Sequence, residues 1–196
     1  DNAPSMAKFS GRVPEKQNFV RDGLVRGLAA ESKLGINPFK LGLFGGTDSH
    51  NGLMGDTDED NWPGGHGLED ATPERRQTGE VGGWLAARDQ SPGSLAGVWA
   101  TSNTREAIWD AIYDREVFAT SGSRITVRFF GGWDFPSDLH TRTDMVKIAY
   151  RDGVPMGGDL QPDAGKKPRF LVAASKDALG ANLDRVQIIK GGVDTD

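Results

Sequence analysis

An aspartate and a histidine two residues apart, Asp48 and His50, sit in Gly45-Gly46-Thr47-Asp48-Ser49-His50, directly after the short apolar run Phe39-Lys40-Leu41-Gly42-Leu43-Phe44. A carboxylate oxygen and an imidazole nitrogen at that spacing suit one divalent ion, zinc, manganese or iron. Water bound to such an ion becomes a nucleophile near neutral pH, so the expected chemistry is metal-assisted hydrolysis. In barrel-like α/β enzymes groups of this kind project from the C-terminal ends of strands, where glycine lets the backbone approach a ligand. The same residue types also form turns and helix caps, so the spacing admits a purely structural turn beside the ligand pair.

Other residues bear on the same chemistry. His66, in Pro63-Gly64-Gly65-His66-Gly67, can reach the site as a ligand or substrate contact, or remain a solvated loop histidine. Arg75 and Arg76 offer guanidinium forks that match a phosphate or sulfate group better than lysine does. Asp138-Leu139-His140 repeats the Asp-x-His spacing but follows no apolar run ending in glycine, and is read as non-catalytic. Asp56-Thr57-Asp58-Glu59-Asp60 imitates the opening of a calcium loop, yet Asn61 stands where glycine is required and Gly67 where a bidentate glutamate is required. Gly93-Ser94-Leu95-Ala96-Gly97 lacks the glycine two before serine that a nucleophile elbow needs. Neither a phosphate-binding Gly-Lys-Ser/Thr loop nor a dinucleotide fingerprint is present.

The elements that must position these groups follow from periodicity. Asn18 is a helix cap, and Val20, Leu24, Val25 and Leu28 share one face of a helix over 18–34 that Gly35 stops. Phe39 to Phe44 is too short for a helix and reads as a buried strand. From Asn51 to Gly97 glycine, proline and acidic residues dominate, a loop far longer than ordinary connections. Asn103 or Thr104 caps a helix to Arg115 with Ile108, Trp109 and Ile112 as its core stripe, and Val117-Phe118 follows as a strand. Beyond Gly122, Ile125, Val127 and Phe129, then Val146, Ile148 and Tyr150, alternate as strands do. Asp152-Gly153 reads as a hairpin turn, and Phe170 to Ala173 and Val186 to Ile189 as further strands. The expected fold is α+β, with a division near Gly122: 1–122, then a β-rich, sandwich-like module over 123–196.

Composition narrows the classes. A net charge of −5 over 196 residues, with lysine and arginine spread along the chain, gives no basic stripe for nucleic acid. No cysteine is present, so any metal must use imidazole, carboxylate, carbonyl or water. No apolar run approaches the ~20 residues needed to span a bilayer. The 27 glycines and 10 prolines predict a loop-rich protein. The polar start at Asp1, without methionine or a signal-peptide pattern, and the stop after a strand-like run suggest a piece of a longer protein.

Gly46-Thr47-Asp48-Ser49-His50 resembles the late Asp-x-His metal motif of the polymerase and histidinol phosphatase superfamily. Asn37-Pro38-Phe39-Lys40, Gly93 to Ala100, Asn103-Thr104-Arg105-Glu106, Phe118 to Gly122 and Arg128 to Phe135 together resemble the bacterial domain-of-unknown-function family 3604, over about 18–192. The resemblance implies a metallohydrolase of phosphoester or related bonds, residues 1–122 closing a distorted α/β barrel. It also places Thr120 and Ser121 on the active-site side, although hydroxyls that satisfy backbone groups in a turn account for them equally. Superfamily members build their sites from an early His-x-His or His-x-Asp motif and further histidines, whereas this chain has three histidines in all. The remaining ligands are therefore expected from a missing N-terminal portion, with little hydrolysis by this chain alone and no general acid assignable within it. The family resemblance leans towards an exported bacterial protein. The competing expectation is a non-catalytic β-rich binding module of such a protein, and a third keeps the enzyme but changes the bond to a sulfate or carbon-centred ester.

Overall fold

The computed structural model describes residues 15, 17, 19–58, 62–83, 85–90 and 93–193. Four helices and seven strands are seen among them: α1 (Val20–Leu34), α2 (Pro73–Thr78), β1 (Glu80–Val81), β2 (Leu85–Ala86), β3 (Leu95–Val98), α3 (Arg105–Tyr113), β4 (Val117–Thr120), β5 (Thr126–Gly132), α4 (Met145–Asp152), β6 (Gly153–Pro155) and β7 (Arg169–Ser175). The strands form three small antiparallel sheets, β1-β2, β3-β4 and β6-β5-β7. The architecture is α+β, and the described residues form no closed barrel. No described helix is long and apolar enough to cross a membrane.

The core sits on one face of the β6-β5-β7 sheet. Phe130 of β5 pairs with Leu171 of β7 across the ladder. Both are buried with Phe135, Leu139, Ile148 and Ala149. Ile148 and Ala149 belong to α4, where Val146, Ile148 and Tyr150 lead one to expect a strand. The same residues also carry a helical stripe, Met145, Ile148 and Ala149, at spacings of three and four. The helix wins because it buries Ile148 and Ala149 together against Phe130, which a strand would send to opposite faces. Asp152-Gly153 is consequently no hairpin turn: Asp152 ends α4 and Gly153 begins β6. The region beyond Gly122 is a single sheet with a helix on it instead of a sandwich, and Val186 to Ile189 pairs with no strand.

Two helix readings agree with the structure in extent. Gly35 ends α1 in the left-handed conformation, its N–H reaching Glu31 O, while the expected cap Asn18 lies outside the described residues. Thr104 caps α3 by accepting the Ala107 N–H. The packing differs from expectation, however. Trp109 is 65% exposed, and Ala111 is the residue that α3 buries. The long loop is also structured: α2, the β1-β2 hairpin and β3 all fall within it, and the buried Thr57 hydroxyl donates to Gly122 O at 3.1 Å.

The β3-β4 pair is joined to the larger sheet by a polar-aromatic cluster. Trp99 Nε1–H donates to Val127 O at 2.8 Å, and the Arg128 guanidinium lies over the Trp99 ring, 3.5 Å from its centroid. Arg128 donates to the Tyr150 hydroxyl, which donates in turn to Glu116 Oε2. Burial raises the Glu116 carboxyl above its ordinary value, opposed by the Tyr150 hydrogen bond and Arg128 and aided by Asp114. A carboxyl raised by folding holds its proton more tightly in the folded state. Its stabilising contribution is therefore complete below the unfolded-state value and lost as pH climbs through the folded-state one. Glu116→Gln abolishes that titration, so the variant is expected to gain stability relative to wild type as pH rises from about 4 to 7. Denaturation midpoints across that range check it, and a difference independent of pH would contradict it.

Candidate functional site

Asp48 and His50 lie on the backbone segment that follows Phe44. The apolar run before them is unpaired: it opens in a turn where Leu41 N–H donates to Phe39 O at 2.9 Å, Leu41 is 61% exposed, and the run forms no strand. Arg115 donates to Lys40 O at 3.1 Å, and Ser94 N–H donates to Gly46 O at 3.2 Å. An apolar hexapeptide reads as buried on hydropathy alone, but only a partner strand would make it so, and none of the described strands pairs with it. The close backbone approach expected at Gly45 is made to the chain itself, since a Cβ there would stand 2.4 Å from Ser94 Cβ.

Asp48 occupies the left-handed region with φ 50°, one of two non-glycine residues among those described to do so. Aspartate tolerates this conformation better than most side chains, and such outliers concentrate at functional sites. It brings Asp48 Oδ1 to 3.2 Å from His50 Nε2. A carboxylate can only accept, so the contact is an Nε2–H···Oδ1 hydrogen bond. Both groups face solvent, with side-chain exposures of 90% for Asp48 and 61% for His50.

His66 is brought to the same place across fifteen residues of loop. Its ring stacks on that of His50 with centroids 4.8 Å apart and planes 24° from parallel. The backbones are tied together: His50 N–H donates to Gly65 O at 2.7 Å, and Asn51 Nδ2–H donates to Gly64 O at 2.8 Å. Behind His66 stands Asp70, whose side chain is completely buried. It accepts from Gly65 N–H at 2.7 Å and from His66 N–H at 2.8 Å. Sequence reasoning missed both Asp70 and Asn51. The His66-to-Asp70 spacing of four, in a glycine-rich segment, was the available signal for Asp70; for Asn51 it was a side-chain amide next to the Asp-x-His motif.

The remaining candidates lie apart from this cluster or are occupied within the chain. Arg75 donates to Leu68 O, and Arg76 donates to Asp70 O at 2.9 Å while lying over the Trp62 ring. Both arginines thus fasten the loop that carries His66 and Asp70. Thr120 Oγ1 accepts the Gly122 N–H at 3.3 Å, the turn role expected of a hydroxyl at a strand end. Ser121 lines a separate cavity of about 510 Å³ with Thr57, Ser123, Asp177 and Arg185. Asp58 is paired with Arg124, and Glu59 and Asp60 lie outside the described residues. Leu139 of Asp138-Leu139-His140 is a core residue, and His140 is exposed in a one-turn helix beyond it.

The donor types of Asp48 and His50 fit a divalent ion of the zinc, manganese or iron class. Two ligands held about 2.0–2.2 Å from one ion stand within roughly 4 Å of each other, a condition their separation meets. In number the donors fall short. Catalytic zinc sites use three protein ligands, and the described residues contain no group of three His, Asp or Glu side chains able to hold an ion. His66 stacks on His50 where a third ligand would have to converge with it.

Comparison with curated proteins found no match, and neither did comparison with solved structures. Residues 3–196 match the family described as a protein of unknown function (DUF3604), and the chain belongs to that family.

Proposed function

We propose that this chain forms part of a metal-dependent hydrolase of phosphoester or related ester bonds, in which Asp48 and His50 hold a divalent ion. The observation that carries the proposal is the 3.2 Å approach of a carboxylate oxygen and an imidazole nitrogen on a left-handed loop residue. A bound ion of this kind lowers the pKa of coordinated water and neutralises charge as an ester is cleaved. The chain's own contribution is to hold the two donors and to keep His66 beside them. The further ligands come from outside the described residues, in keeping with the resemblance to the polymerase and histidinol phosphatase superfamily and its multi-metal barrels. In that reading the segment bearing Asp48 and His50 forms part of such a barrel. The substrate is a small ester; Arg75 and Arg76 support the loop that bears His66.

A panel of chromogenic phosphate, sulfate and carboxylate esters, assayed with Zn²⁺, Mn²⁺ or Fe²⁺ and again after chelation, tests the proposal. In protein that carries the remaining ligands, hydrolysis is expected to depend on metal and to fall at least about tenfold in His50→Ala, because losing even an outer-shell partner of a metal ligand costs 10–100-fold. Turnover that survives both chelator and substitution would overturn it. The shortage of a third donor favours one alternative, a non-catalytic binding module of an exported protein. Metal content separates the two readings: a chain that takes up no divalent ion at Asp48 and His50 would favour that module.

A further inference from the structure

We infer that Asp70 is a positioning residue: its carboxylate holds the neutral His66 ring, stacked on His50, as the Nδ1–H tautomer and so leaves the lone pair on Nε2. The tautomer stands on its own geometry, and the use of that lone pair as a substrate contact rests on the proposed metal site.

His66 Nδ1 is buried and has no hydrogen-bond partner. Buried polar nitrogens are seldom left so, because the desolvation of the group is then uncompensated. The group facing it is Asp70 Oδ2, 3.6 Å away on a side chain with no exposure of its own. Asp70 cannot withdraw, since Oδ2 also accepts from Gly65 N–H and Oδ1 from His66 N–H. A bare Nδ1 would set two acceptors against each other in a poorly screened environment. A protonated Nδ1 becomes a donor to a carboxylate that has lone pairs to spare.

The remaining nitrogen is then fixed by exclusion. In a neutral imidazole the partner of one ring nitrogen decides which nitrogen keeps the lone pair. Carboxylate-to-histidine contacts of this type orient metal-bound imidazoles and raise their basicity. The stacking against His50 keeps the ring beside the Asp48–His50 contact.

The experiment is long-range ¹H–¹⁵N NMR of the metal-free chain with ¹⁵N-labelled histidine, above the pH at which the rings are protonated. His66 is expected to show a pyrrole-like Nδ1 and a pyridine-like Nε2, with exposed His140 as an internal comparison. In Asp70→Asn the His66 signals are expected to move towards the opposite tautomer. A pyridine-like Nδ1 in the wild type overturns the inference, and this reading requires no variant to fold. An unchanged tautomer in a folded Asp70→Asn overturns the role of Asp70. Zn²⁺ is then titrated into wild type. A shift of the His50 ring signals is expected if the metal reading is right, while unmoved His50 signals with an intact His66 Nδ1–H tautomer count against the metal site alone.

Discussion

Phe130→Ala is expected to destabilise the protein by about 3–5 kcal/mol, the range for truncating a fully buried aromatic residue. Phe130 is 1% exposed at the centre of the β6-β5-β7 sheet and is packed by Phe135, Leu139, Ile148, Ala149 and Leu171. The Tyr150 ring stands 80° from its plane with centroids 5.0 Å apart. Neighbours so placed belong to a strand, a helix and a loop, and they cannot all collapse into the space left. Against typical domain stabilities of about 5–15 kcal/mol, the loss would leave the variant marginal. Trp109→Ala is the matching control. A mostly exposed side chain gives up little on truncation, so a change within about 1 kcal/mol is expected. Chemical denaturation of the two variants checks both, and a larger effect at Trp109 than at Phe130 would show that the core lies on α3.

The second large effect is expected at Asp70. In Asp70→Ala two backbone N–H groups, those of Gly65 and His66, lose their acceptor. Each buried donor left without a partner costs about 1–3 kcal/mol, which places the variant about 2–6 kcal/mol below wild type in that region. The destabilisation is local in the first instance, because what Asp70 holds is the segment that carries His66. Hydrogen exchange at the Gly65 and His66 amides is therefore the sensitive measurement. Loss of protection there, with β5 and β7 still protected, is the expected pattern. Unchanged exchange at both amides would show that Asp70 does not organise the loop.

How far the sequence disclosed these features depended on the range of the interactions involved. Local signals were readable: the Thr104 cap and the Gly35 stop act within a few residues, and β5 was legible as a strand although burial along it does not alternate. The Asp48–His50 contact is local too, and so was visible as a two-residue spacing. Readings that required a partner fared worse. Phe39 to Phe44 and Val186 to Ile189 have strand composition, yet a strand exists only where a second one pairs with it. Over the six residues around Val146 to Tyr150, periods of two and of 3.6 fit equally well, and packing against Phe130 decided for the helix. Trp109 was assigned to the core on periodicity alone, whereas the face of α3 that is buried is the one bearing Ala111. Asp70 escaped notice because a buried carboxylate that accepts backbone N–H groups leaves no periodic trace. The meeting of His66 with His50 was an open possibility in the sequence, and the loop between them was the part whose course no pattern fixed.

The central claim is that Asp48 and His50 form a divalent-ion site. Titration of Mn²⁺ into the chain, followed by the loss of the free-ion electron paramagnetic resonance signal, tests it most directly, since it requires neither substrate nor turnover. Saturable uptake of one ion is expected in wild type, with affinity at least about tenfold weaker in Asp48→Asn and in His50→Ala. Uptake is expected to be unchanged in His140→Ala, whose imidazole is exposed in a different part of the fold. Equal uptake by wild type and by the Asp48→Asn, His50→Ala double variant would contradict the claim and reduce the motif to a turn.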